Sequence, residues 1–475
     1  MALPHDPGKT RRLDPHPTET IPVPPAAGPA AAAPTGRTPT FVTPAGADTP
    51  PPADRPDLPV PGELIARGGM GSVWRVHDAQ LGRDVAMKLL LEEHRETPLL
   101  RRRFVREGRL TGRLQHPGIV PVYELGRLPD GRPFFTMKLI GGRTLADLLT
   151  DRRDPQDDLP RLLKVFETVA QALAYAHARR VIHRDLKPAN VMVGEFGEVL
   201  VMDWGVAKAL ADGPEEPADE PPDGQADDAG AGLHTVAGSV LGTPAYMPPE
   251  QARGEVDRVD ERADVFGLGT ILCHVLTGHP PYDGADGATL IRAARRADLA
   301  AAFARLDGCR GPGPLVALTR RCLATDPADR PPHAGVVAAA VTAYLETELR
   351  RAERDLVRFF ELSMDLFCIA GLDGYFHRVN ANFSRVLGYS TAELVSRPFL
   401  DYIHPDDRPA TVAVMADRAN GVPCVRFCNR YVDAGGSYRW FEWTAKSIPE
   451  EGVIFAAARD VTAEKNGEPR PPAGV

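Results

Sequence analysis

A short polar segment between positions 183 and 203 combines acidic, basic and amide side chains that could do chemistry. The run H-R-D-L-K-P-A-N at 183–190 is followed thirteen residues later by D-W-G at 203–205. Asp185 supplies a carboxylate that can accept a hydroxyl proton, and the cation of Lys187 is close by in the chain. Asn190 and Asp203 offer the hard oxygen ligands that Mg²⁺ prefers. The segment therefore indicates proton transfer beside a metal ion, with a buried structural polar cluster as the alternative.

Two features upstream could hold a polyphosphate. Gly68-Gly69-Met70-Gly71 lies between two strand-like runs, where glycines let backbone N–H groups approach phosphate oxygens. A plain hairpin turn is the alternative interpretation. Lys88 follows in the apolar run Val-Ala-Met-Lys, and Glu107 comes next on a helical pattern. An ion pair between Lys88 and Glu107 would hold the ammonium group for the α- and β-phosphate oxygens.

The elements that must position these residues form a small strand-rich half and a larger helical half. Strand-like runs are predicted at 64–66, 72–76, 85–89, 120–125 and 134–139, with a helix at 101–114. After Gly142 the pattern becomes mainly helical, with a helix at 162–179 and others from 263 to 345. We therefore expect one two-lobed unit of α+β class over 62–345.

In this order, the motifs resemble those of the eukaryotic-like protein serine/threonine kinases of bacteria. The resemblance covers about 63–345 and implies the two-lobed kinase fold and transfer of the ATP γ-phosphate to protein Ser or Thr hydroxyls, with Mg²⁺, or alternatively Mn²⁺. It implies that Asp185 is the catalytic base, that Lys187 contacts the γ-phosphate, and that Lys88 with Glu107 anchors the other phosphates. Asn190 and Asp203 would hold the metal. The nucleotide-binding positions that it implies are Ile65, Ala66, Gly68, Gly69, Met70, Gly71, Val73, Ala86, Lys88, Met137, Leu139 and Met192.

The same resemblance identifies residues 203–250 as an activation segment. Arg184 is expected to bind a phosphate on this segment, with Thr235, Ser239 and Thr243 as regulatory positions. Within it, residues 211–230 contain eight acids and no base. This acidic run is interpreted either as a tolerated insertion or as a repulsive element that loosens the unphosphorylated segment.

The resemblance also predicts two structural contacts. Glu250 is expected to pair with Arg330, and Asp264 to brace the catalytic loop from a buried helix. Three residues depart from the family pattern, namely Ala66, Trp204 and Pro248. None of them removes a phosphate, proton or metal contact, so we expect an active enzyme.

The last 115 residues carry a second α+β pattern that resembles a PAS domain over 356–463. The matching segments lie at 365–374, 382–390, 403–407 and 438–440. The resemblance implies a sensory or dimerisation domain whose ligand is unknown, and the cysteine-containing signature of flavin photoreceptors is absent. His377 and His404 are interpreted as surface or turn-capping residues, with haem ligation as the alternative.

Between the two domains, residues 337–360 are predicted to form a linker helix. Apolar residues fall at 341, 345, 349, 352, 356 and 359 or 360, a heptad-like seam. A dimerising coil and a helix packed on its own domain both fit this spacing. Glu346 and Arg350 are spaced for an i,i+4 ion pair. A homodimer through this helix and the PAS domain is therefore one of the predicted partners.

The composition argues against several other classes. The 475 residues carry a net charge of −8, with 43% hydrophobic and 25% charged residues, which is typical of a soluble globular protein without a face for nucleic acid. No apolar stretch approaches the roughly 18 residues of a membrane span, and the six cysteines lack zinc-site spacing. We expect a cytoplasmic protein with disordered tails at 1–61, which holds 17 of the 47 prolines, and at 464–475.

Two rival functions are compatible with parts of this pattern. One is a scaffold that binds nucleotide without catalysis, and the other is a sensor whose kinase activity is vestigial. Intact Lys88, Asp185, Asn190 and Asp203 favour the enzyme, so we predict a protein serine/threonine kinase with a PAS regulatory domain.

Overall fold

The computed structural model describes residues 62–205, 207–210, 244–419 and 424–467. The predicted tail 1–61, the acidic run 211–230 and residues 468–475 lie outside the described residues, as do Thr235, Ser239 and Thr243. Within the described ranges, no helix combines the length and the apolar character that crossing a membrane requires.

The first lobe is a five-stranded antiparallel sheet with one long helix. Its strands are β1 (Leu64–Arg67), β2 (Gly71–Asp78), β3 (Arg83–Leu90), β4 (Val122–Arg127) and β5 (Pro133–Lys138), in the order β1-β2-β3-β5-β4. Helix α1 (Pro98–Arg113) packs on β4 and β5. Its Phe104 contacts Leu90 and Phe135 in a buried cluster, which fixes the helix on the face of the sheet that also carries Lys88.

The second lobe is mainly helical. Its helices are α2 (Leu145–Thr150), α3 (Leu159–Ala178), α4 (Pro249–Arg253), α5 (Glu261–Thr277), α6 (Gly287–Arg296), α7 (Ala300–Gly308), α8 (Gly313–Cys322) and the start of α9 (Ala334–Leu362). Strands β6 (Gly142–Thr144), β8 (Val191–Gly194) and β9 (Val199–Val201) form one small sheet, and β7 (Val181–Ile182) pairs with β10 (Lys208–Ala209). Helix α5 is buried along most of its length, so its sequence is apolar on nearly every side.

Helix α9 begins inside the second lobe and ends at the C-terminal domain. Ala334, Val337, Ala338 and Val341 are buried, so its first two turns belong to the core of the lobe. The predicted linker helix 337–360 is therefore part of a longer helix, and position 341 of the predicted seam packs inside the lobe instead of facing a partner.

The C-terminal domain is a second five-stranded antiparallel sheet with short helices. Its strands are β11 (Leu366–Gly371), β12 (Phe376–Val379), β13 (Cys424–Val432), β14 (Tyr438–Ile448) and β15 (Val453–Asp460), in the order β12-β11-β15-β14-β13. Its helices are α10 (Ala381–Leu387), α11 (Thr391–Ser396), α12 (Arg408–Ala419) and α13 (Thr462–Lys465). A capping box between Ser390 and Glu393 opens α11, as its sequence predicts.

The predicted starting residue of the disordered C-terminal tail, 464, was wrong. Residues 464 and 465 belong to α13, which continues directly from the last strand. Arg459 donates to the carboxylate of Glu464 at 2.7 Å, and the ammonium group of Lys465 lies 5.5 Å from the centre of the Trp440 ring. These two contacts hold the short helix against the sheet.

Candidate active site

Strands β1 and β2 form a hairpin whose tip is the glycine-rich segment 68–71. The Gly68 N–H donates to the Gly71 carbonyl at 2.8 Å, which closes the turn. A Cβ on Gly71 would lie 2.9 Å from the carbonyl oxygen of Leu89 and 3.4 Å from the Phe104 ring, so the packing of the hairpin requires glycine there. Met70 turns its side chain onto the buried cluster beneath. His94 donates through Nε2 to the Gly69 carbonyl at 2.9 Å, a contact that no sequence pattern indicated.

One face of the first sheet carries four of the predicted nucleotide-binding residues. Val73 lies opposite Lys88, and Ala86 lies opposite Met137; residues directly opposite each other share a face of the sheet. Strand alternation puts Ala86 and Lys88 on that same face. The strand register therefore brings these four side chains together.

The other predicted nucleotide-binding positions differ in their exposure. Ile65, Ala66, Gly68 and Gly69 are exposed, whereas Leu139 directly after β5 and Met192 on β8 are half-buried. Leu139 and Met192 come from different sheets, so their approach to a common ligand is a matter of tertiary packing and cannot be derived from strand register.

Lys88 joins two carboxylates from different elements. Its Nζ lies 2.5 Å from Oε1 of Glu107 on α1 and 3.3 Å from Oδ1 of Asp203. Burial acts to lower the pKa of Lys88, but the two carboxylates outweigh it and hold the pKa above its ordinary value. Burial raises the pKa of Glu107, with Lys88 opposing. For Asp203 the burial effect is outweighed by Lys88, so its pKa is lowered. The ammonium group is thus held charged between the two lobes of the fold.

Asp185, Lys187 and Asn190 lie on the loop between β7 and β8 and are joined by hydrogen bonds. Lys187 Nζ donates to Asp185 Oδ2 at 2.7 Å. Asn190 Nδ2 donates to the Asp185 carbonyl at 2.8 Å and to Oδ2 at 3.2 Å. These bonds orient the carboxylate and leave its other oxygen, Oδ1, available to accept a proton from a substrate hydroxyl.

The two predicted metal ligands have oxygens available for a cation. The amide nitrogen of Asn190 is used by Asp185, which leaves Oδ1 for a ligand, and the Asp203 side chain is 49% exposed. The Met202 N–H donates to the Asn190 carbonyl at 2.8 Å, so the two ligands are tied together through the backbone. Two hard oxygens suit Mg²⁺, which takes few protein ligands and completes its shell with phosphates and water. The described ranges contain no group of three or more His, Cys, Asp or Glu side chains able to hold a metal alone.

Asp264 on α5 braces the backbone that precedes Asp185, as predicted. Its Oδ2 accepts the His183 N–H at 2.7 Å, and its Oδ1 accepts the Arg184 N–H at 2.8 Å. Burial acts to raise the Asp264 pKa, but hydrogen bonds from His177 and His183 outweigh it and hold the pKa below its ordinary value. Arg184 adopts a φ of 68°, a strained conformation for a residue other than glycine, and the bonds to Asp264 hold it there.

Trp204, one of the departures from the family pattern, is accommodated in the core. It is 1% exposed, and its ring centre lies 4.7 Å from that of His183. His183 in turn donates through Nε2 to the Met202 carbonyl at 3.0 Å. The larger ring therefore packs against the catalytic loop from the segment after β9 that carries Asp203.

The Arg184 side chain forms part of a cluster of guanidinium groups. Burial, together with Arg106 and Arg103 on α1, lowers its pKa from the usual arginine value. Its Nε is buried without a hydrogen-bond partner among the described residues. Sequence reasoning identified Arg184 and missed the two arginines of α1, although six arginines in that 16-residue helix were a visible signal.

Glu250 and Arg330 form the predicted buried pair. Nη1 and Nη2 of Arg330 donate to the two carboxylate oxygens at 2.7 and 2.9 Å, and the two side chains are 2% exposed or less. Arg330 also donates to the carbonyl oxygens of Arg262 and Ala324. The pair ties the end of the activation segment to the second lobe, and the other hydrogen bonds of Arg330 go to backbone carbonyls and not to the catalytic groups.

Comparison with known proteins identifies two families in the chain. Residues 60–341 match the protein kinase domain family, and residues 376–456 match the PAS fold family. The chain is 31% identical over 323 residues to the serine/threonine-protein kinase PknD of Protochlamydia amoebophila, covering 65% of this chain and 30% of that protein. It is 36% identical over 281 residues to the serine/threonine-protein kinase PknB of Mycobacterium tuberculosis, covering 58% and 41%. For PknB of Mycolicibacterium smegmatis the identity is 38% over 235 residues, covering 49% and 34%. The chain thus spans less than half the length of these relatives.

Proposed function

The chain belongs to the protein kinase family, which matches more than half of its length, and on that premise we propose that it transfers the ATP γ-phosphoryl group to Ser or Thr hydroxyls of proteins. The observation that carries this proposal is the assembled charge arrangement around Lys88. Its ammonium group contacts both Glu107 and Asp203, while Asp185 is oriented by Lys187 and Asn190. A scaffold that only binds nucleotide needs no oriented carboxylate at Asp185.

Each residue of the site has a separate part in the proposed reaction. Lys88 neutralises the non-transferred phosphates, and Glu107 holds Lys88 in place. Oδ1 of Asp185 accepts the proton of the attacking hydroxyl while Lys187 neutralises charge on the transferred group. Bound Mg²⁺, held by Asn190 and Asp203, would neutralise further phosphate charge. Because phosphoryl transfer asks for little covalent work from the protein, positioning and charge neutralisation supply most of the acceleration.

We also propose the acceptor residue type, the metal ion, the substrate class and the location of the enzyme. Lys187, in the Asp-Leu-Lys-Pro form, favours Ser and Thr over Tyr as acceptors. The oxygen-only ligand pair favours Mg²⁺, with Mn²⁺ as an alternative. The net charge of −8 favours protein substrates over nucleic acids, and we propose that the enzyme acts in the cytoplasm.

Phosphoamino-acid analysis tests this function. The full chain is incubated with a general protein substrate and Mg-ATP labelled in the γ-phosphate, beside Lys88→Met. We expect label on Ser and Thr with the wild type, and little or none with Lys88→Met, because that variant leaves the α- and β-phosphates without their cation. Equal labelling by both proteins would overturn the proposal.

We propose that the kinase domain spans 62–345 and that a PAS domain at 356–463 regulates it. A cavity of about 70 Å³, partly open to solvent, lies in the PAS core. Three of its polar side chains bond one another, since Trp443 donates to Asn429 at 2.8 Å and Asn429 donates to Thr411 at 3.1 Å. The cavity therefore favours a small apolar ligand, which is compatible with a sensory role.

Neither of the two candidate haem-binding histidines lines this cavity. The side chain of His377 is 46% exposed. His404 accepts the Asp406 N–H at 3.2 Å and packs edge-on against Tyr438, which is the predicted turn-capping role. We therefore propose that the PAS domain does not ligate haem through either residue, and an absorbance spectrum of the purified full chain without a haem band would agree.

A homodimer is the second part of the regulatory proposal. Leu349, Leu356 and Phe359 are 61%, 69% and 69% exposed along α9. They continue the heptad-like seam beyond the part of the helix that packs in the lobe. We propose that a second copy of the chain covers this seam.

A further inference from the structure

One buried histidine connects the start of α9 to the catalytic loop. His177, in the last turn of α3, is 5% exposed, and its Nδ1 accepts the Ala334 N–H at 3.1 Å. Because Nδ1 accepts, the ring proton is on Nε2, which donates to Asp264 Oδ2 at 2.8 Å. The Asp264 carboxylate also holds the N–H groups of His183 and Arg184. A continuous chain of hydrogen bonds therefore runs from α9 to the residue next to Asp185.

The contact at Ala334 fixes the first turn of α9. The first N–H groups of a helix have no partner within the helix, and Ala334 is fully buried, so water cannot replace His177 there. Two turns later, Thr342 Oγ1 donates to Glu167 Oε1 on α3 at 2.5 Å. Helix α9 is thus bonded at two points to α3, and α3 leads directly into β7 and the catalytic loop.

The other end of α9 is bonded to the PAS domain. Asn380 is fully buried, and its Nδ2 donates to the Phe360 carbonyl at 3.0 Å and to the Asp365 carbonyl at 2.9 Å. Glu361 accepts the Ala381 N–H at 2.9 Å. These bonds join the last turn of α9 to the strand and helix that start the PAS fold.

Between these two ends α9 is an uninterrupted, exposed rod. The helix has 29 residues, which at about 1.5 Å per residue gives a length of about 43 Å. Residues 346–359 are exposed on every side. A displacement imposed at the PAS end is therefore carried along the helix to Ala334, where hydrogen bonds weaken steeply with misalignment.

We propose that His177 is a positioning residue through which the placement of α9, set at its PAS end by Asn380, adjusts the catalytic loop. His177 acts on Asp185 only through Asp264 and the backbone of 183–184. The inference rests on the proposed kinase function and specifies how the PAS domain would act on it. The coupling would run through a helix that packs in the core of the kinase lobe and is hydrogen-bonded to the PAS domain at its other end.

Two substitutions at His177 separate its hydrogen bonds. His177→Gln keeps an N–H donor near the position of Nε2 for Asp264 and lacks the acceptor for Ala334. His177→Asn keeps an acceptor near the position of Nδ1 and does not reach Asp264. Asn380→Ala releases the PAS end of α9. Its matched control is Asn429→Ala, because Asn429 is an equally buried PAS asparagine, 2% exposed, whose side chain bonds Trp443 and Thr411 instead of α9.

The test is a double-mutant cycle in the full chain. We measure kcat and the KM for ATP in protein phosphorylation, and hydrogen exchange of the 183–184 amides without nucleotide. Asn380→Ala is expected to change kcat about fivefold, which is the lower end of ordinary coupling between sites, and to leave the KM for ATP unchanged. When His177→Gln is also present, adding Asn380→Ala should change kcat by less than about twofold. Exchange at 183–184 is expected to change in Asn380→Ala and not in Asn429→Ala. His177→Asn should lower kcat more than His177→Gln, because it releases Asp264.

Equal kcat responses to Asn380→Ala with His177 and with His177→Gln would overturn the inference, as would unchanged exchange at 183–184 in Asn380→Ala. The two readouts separate this inference from the proposed function. An active wild type with additive responses means that the coupling is wrong and the kinase function stands. If Asn380→Ala changes hydrogen exchange at 183–184 but the chain does not phosphorylate protein, the coupling stands and the kinase function is wrong.

Discussion

At the scale of single residues, the site depends on groups that each serve two partners. The ammonium group of Lys88 contacts both Glu107 and Asp203. The amide nitrogen of Asn190 bonds Asp185, which leaves the amide oxygen for a ligand. Asp264 likewise holds two consecutive backbone N–H groups. Because each of these groups has two partners, a change at one residue alters the position of a second residue. A conservative substitution should therefore reduce activity by more than the loss of a single hydrogen bond would.

The Glu250–Arg330 pair should affect stability and not chemistry. Arg330→Met leaves the Glu250 carboxylate buried without its cation, which should lower the free energy of unfolding by about 3–5 kcal/mol. Urea unfolding measures this value. Arg350→Met is the control, because the Glu346–Arg350 pair, at 3.4 Å, is 59% and 73% exposed and such pairs contribute about 1 kcal/mol or less. Equal losses in the two variants would contradict the structural role of the buried pair.

The residues that sequence reasoning found and missed differ in where their partners lie along the chain. Asp185, Lys187 and Asn190 are partners within one loop, so their spacing alone indicates the chemistry. His177 bonds to residues 87 and 157 positions away, and a single histidine at the end of an apolar helix carries no local signal. The two α1 arginines near Arg184 were missed for a different reason. The six arginines of that helix are visible in the sequence, but charged residues on a helix usually face solvent.

At the scale of elements, the glycine-rich hairpin depends on one close approach. A Cβ on Gly71 would lie 2.9 Å from the Leu89 carbonyl, whereas one on Gly68 would have its nearest neighbour at 3.7 Å. Gly71 is also held opposite Leu90 by the strand register, so neither strand can move away independently. The two glycines of the same motif therefore have different structural requirements.

Gly71→Ala should weaken nucleotide binding, and Gly68→Ala should not. The added methyl group forces β2 away from β3 at a cost of about 1–3 kcal/mol, which we expect to raise the KM for ATP about tenfold. Initial rates at varied ATP concentration measure it. For Gly68→Ala the KM should change by less than about threefold. The opposite ranking would show that conformational freedom at Gly68, and not packing at Gly71, governs the loop.

Regular elements were predictable where their periodicity is long. Strands β2, β3, β14 and β15 each have eight or more residues, and helix α3 has 20, so alternation or helical spacing identified them all. Strands β7 to β10 have two to four residues, too few for a period. At the start of α9 the sequence left two alternatives open, because apolar spacing of three and four residues describes a buried helix as well as a coiled coil. The burial of Val341 favours the packed helix there.

At the scale of the whole molecule, the unusual composition is concentrated outside the described folds. The net charge of −8 equals the eight acids of 211–230, and 21 of the 47 prolines lie in that run and in 1–61. The remaining sequence is formally neutral. Whole-chain length and composition therefore average over two folded domains and two segments of unusual composition. The order of motifs along the chain identified a kinase domain followed by a PAS domain.

The exposed seam on α9 should set the oligomeric state. Leu349→Glu combined with Leu356→Glu places charges on the seam, so we expect native mass measurement to change from twice the monomer mass to the monomer mass. Leu81→Glu is the control, because Leu81 is 65% exposed and lies away from α9. A wild-type chain that is already a monomer, or a double variant that is still a dimer, would contradict the assignment of the partner.

The central claim is that Asp185 accepts a proton during phosphoryl transfer by this chain. The most direct measurement compares kcat for protein phosphorylation and the ATP dissociation constant in wild type and Asp185→Asn. Asparagine keeps the shape of the side chain and cannot take the proton, so we predict that kcat falls about 10²–10⁴-fold while the Kd for ATP changes less than about threefold. Equal kcat values in the two proteins, with ATP bound equally well, would contradict the account.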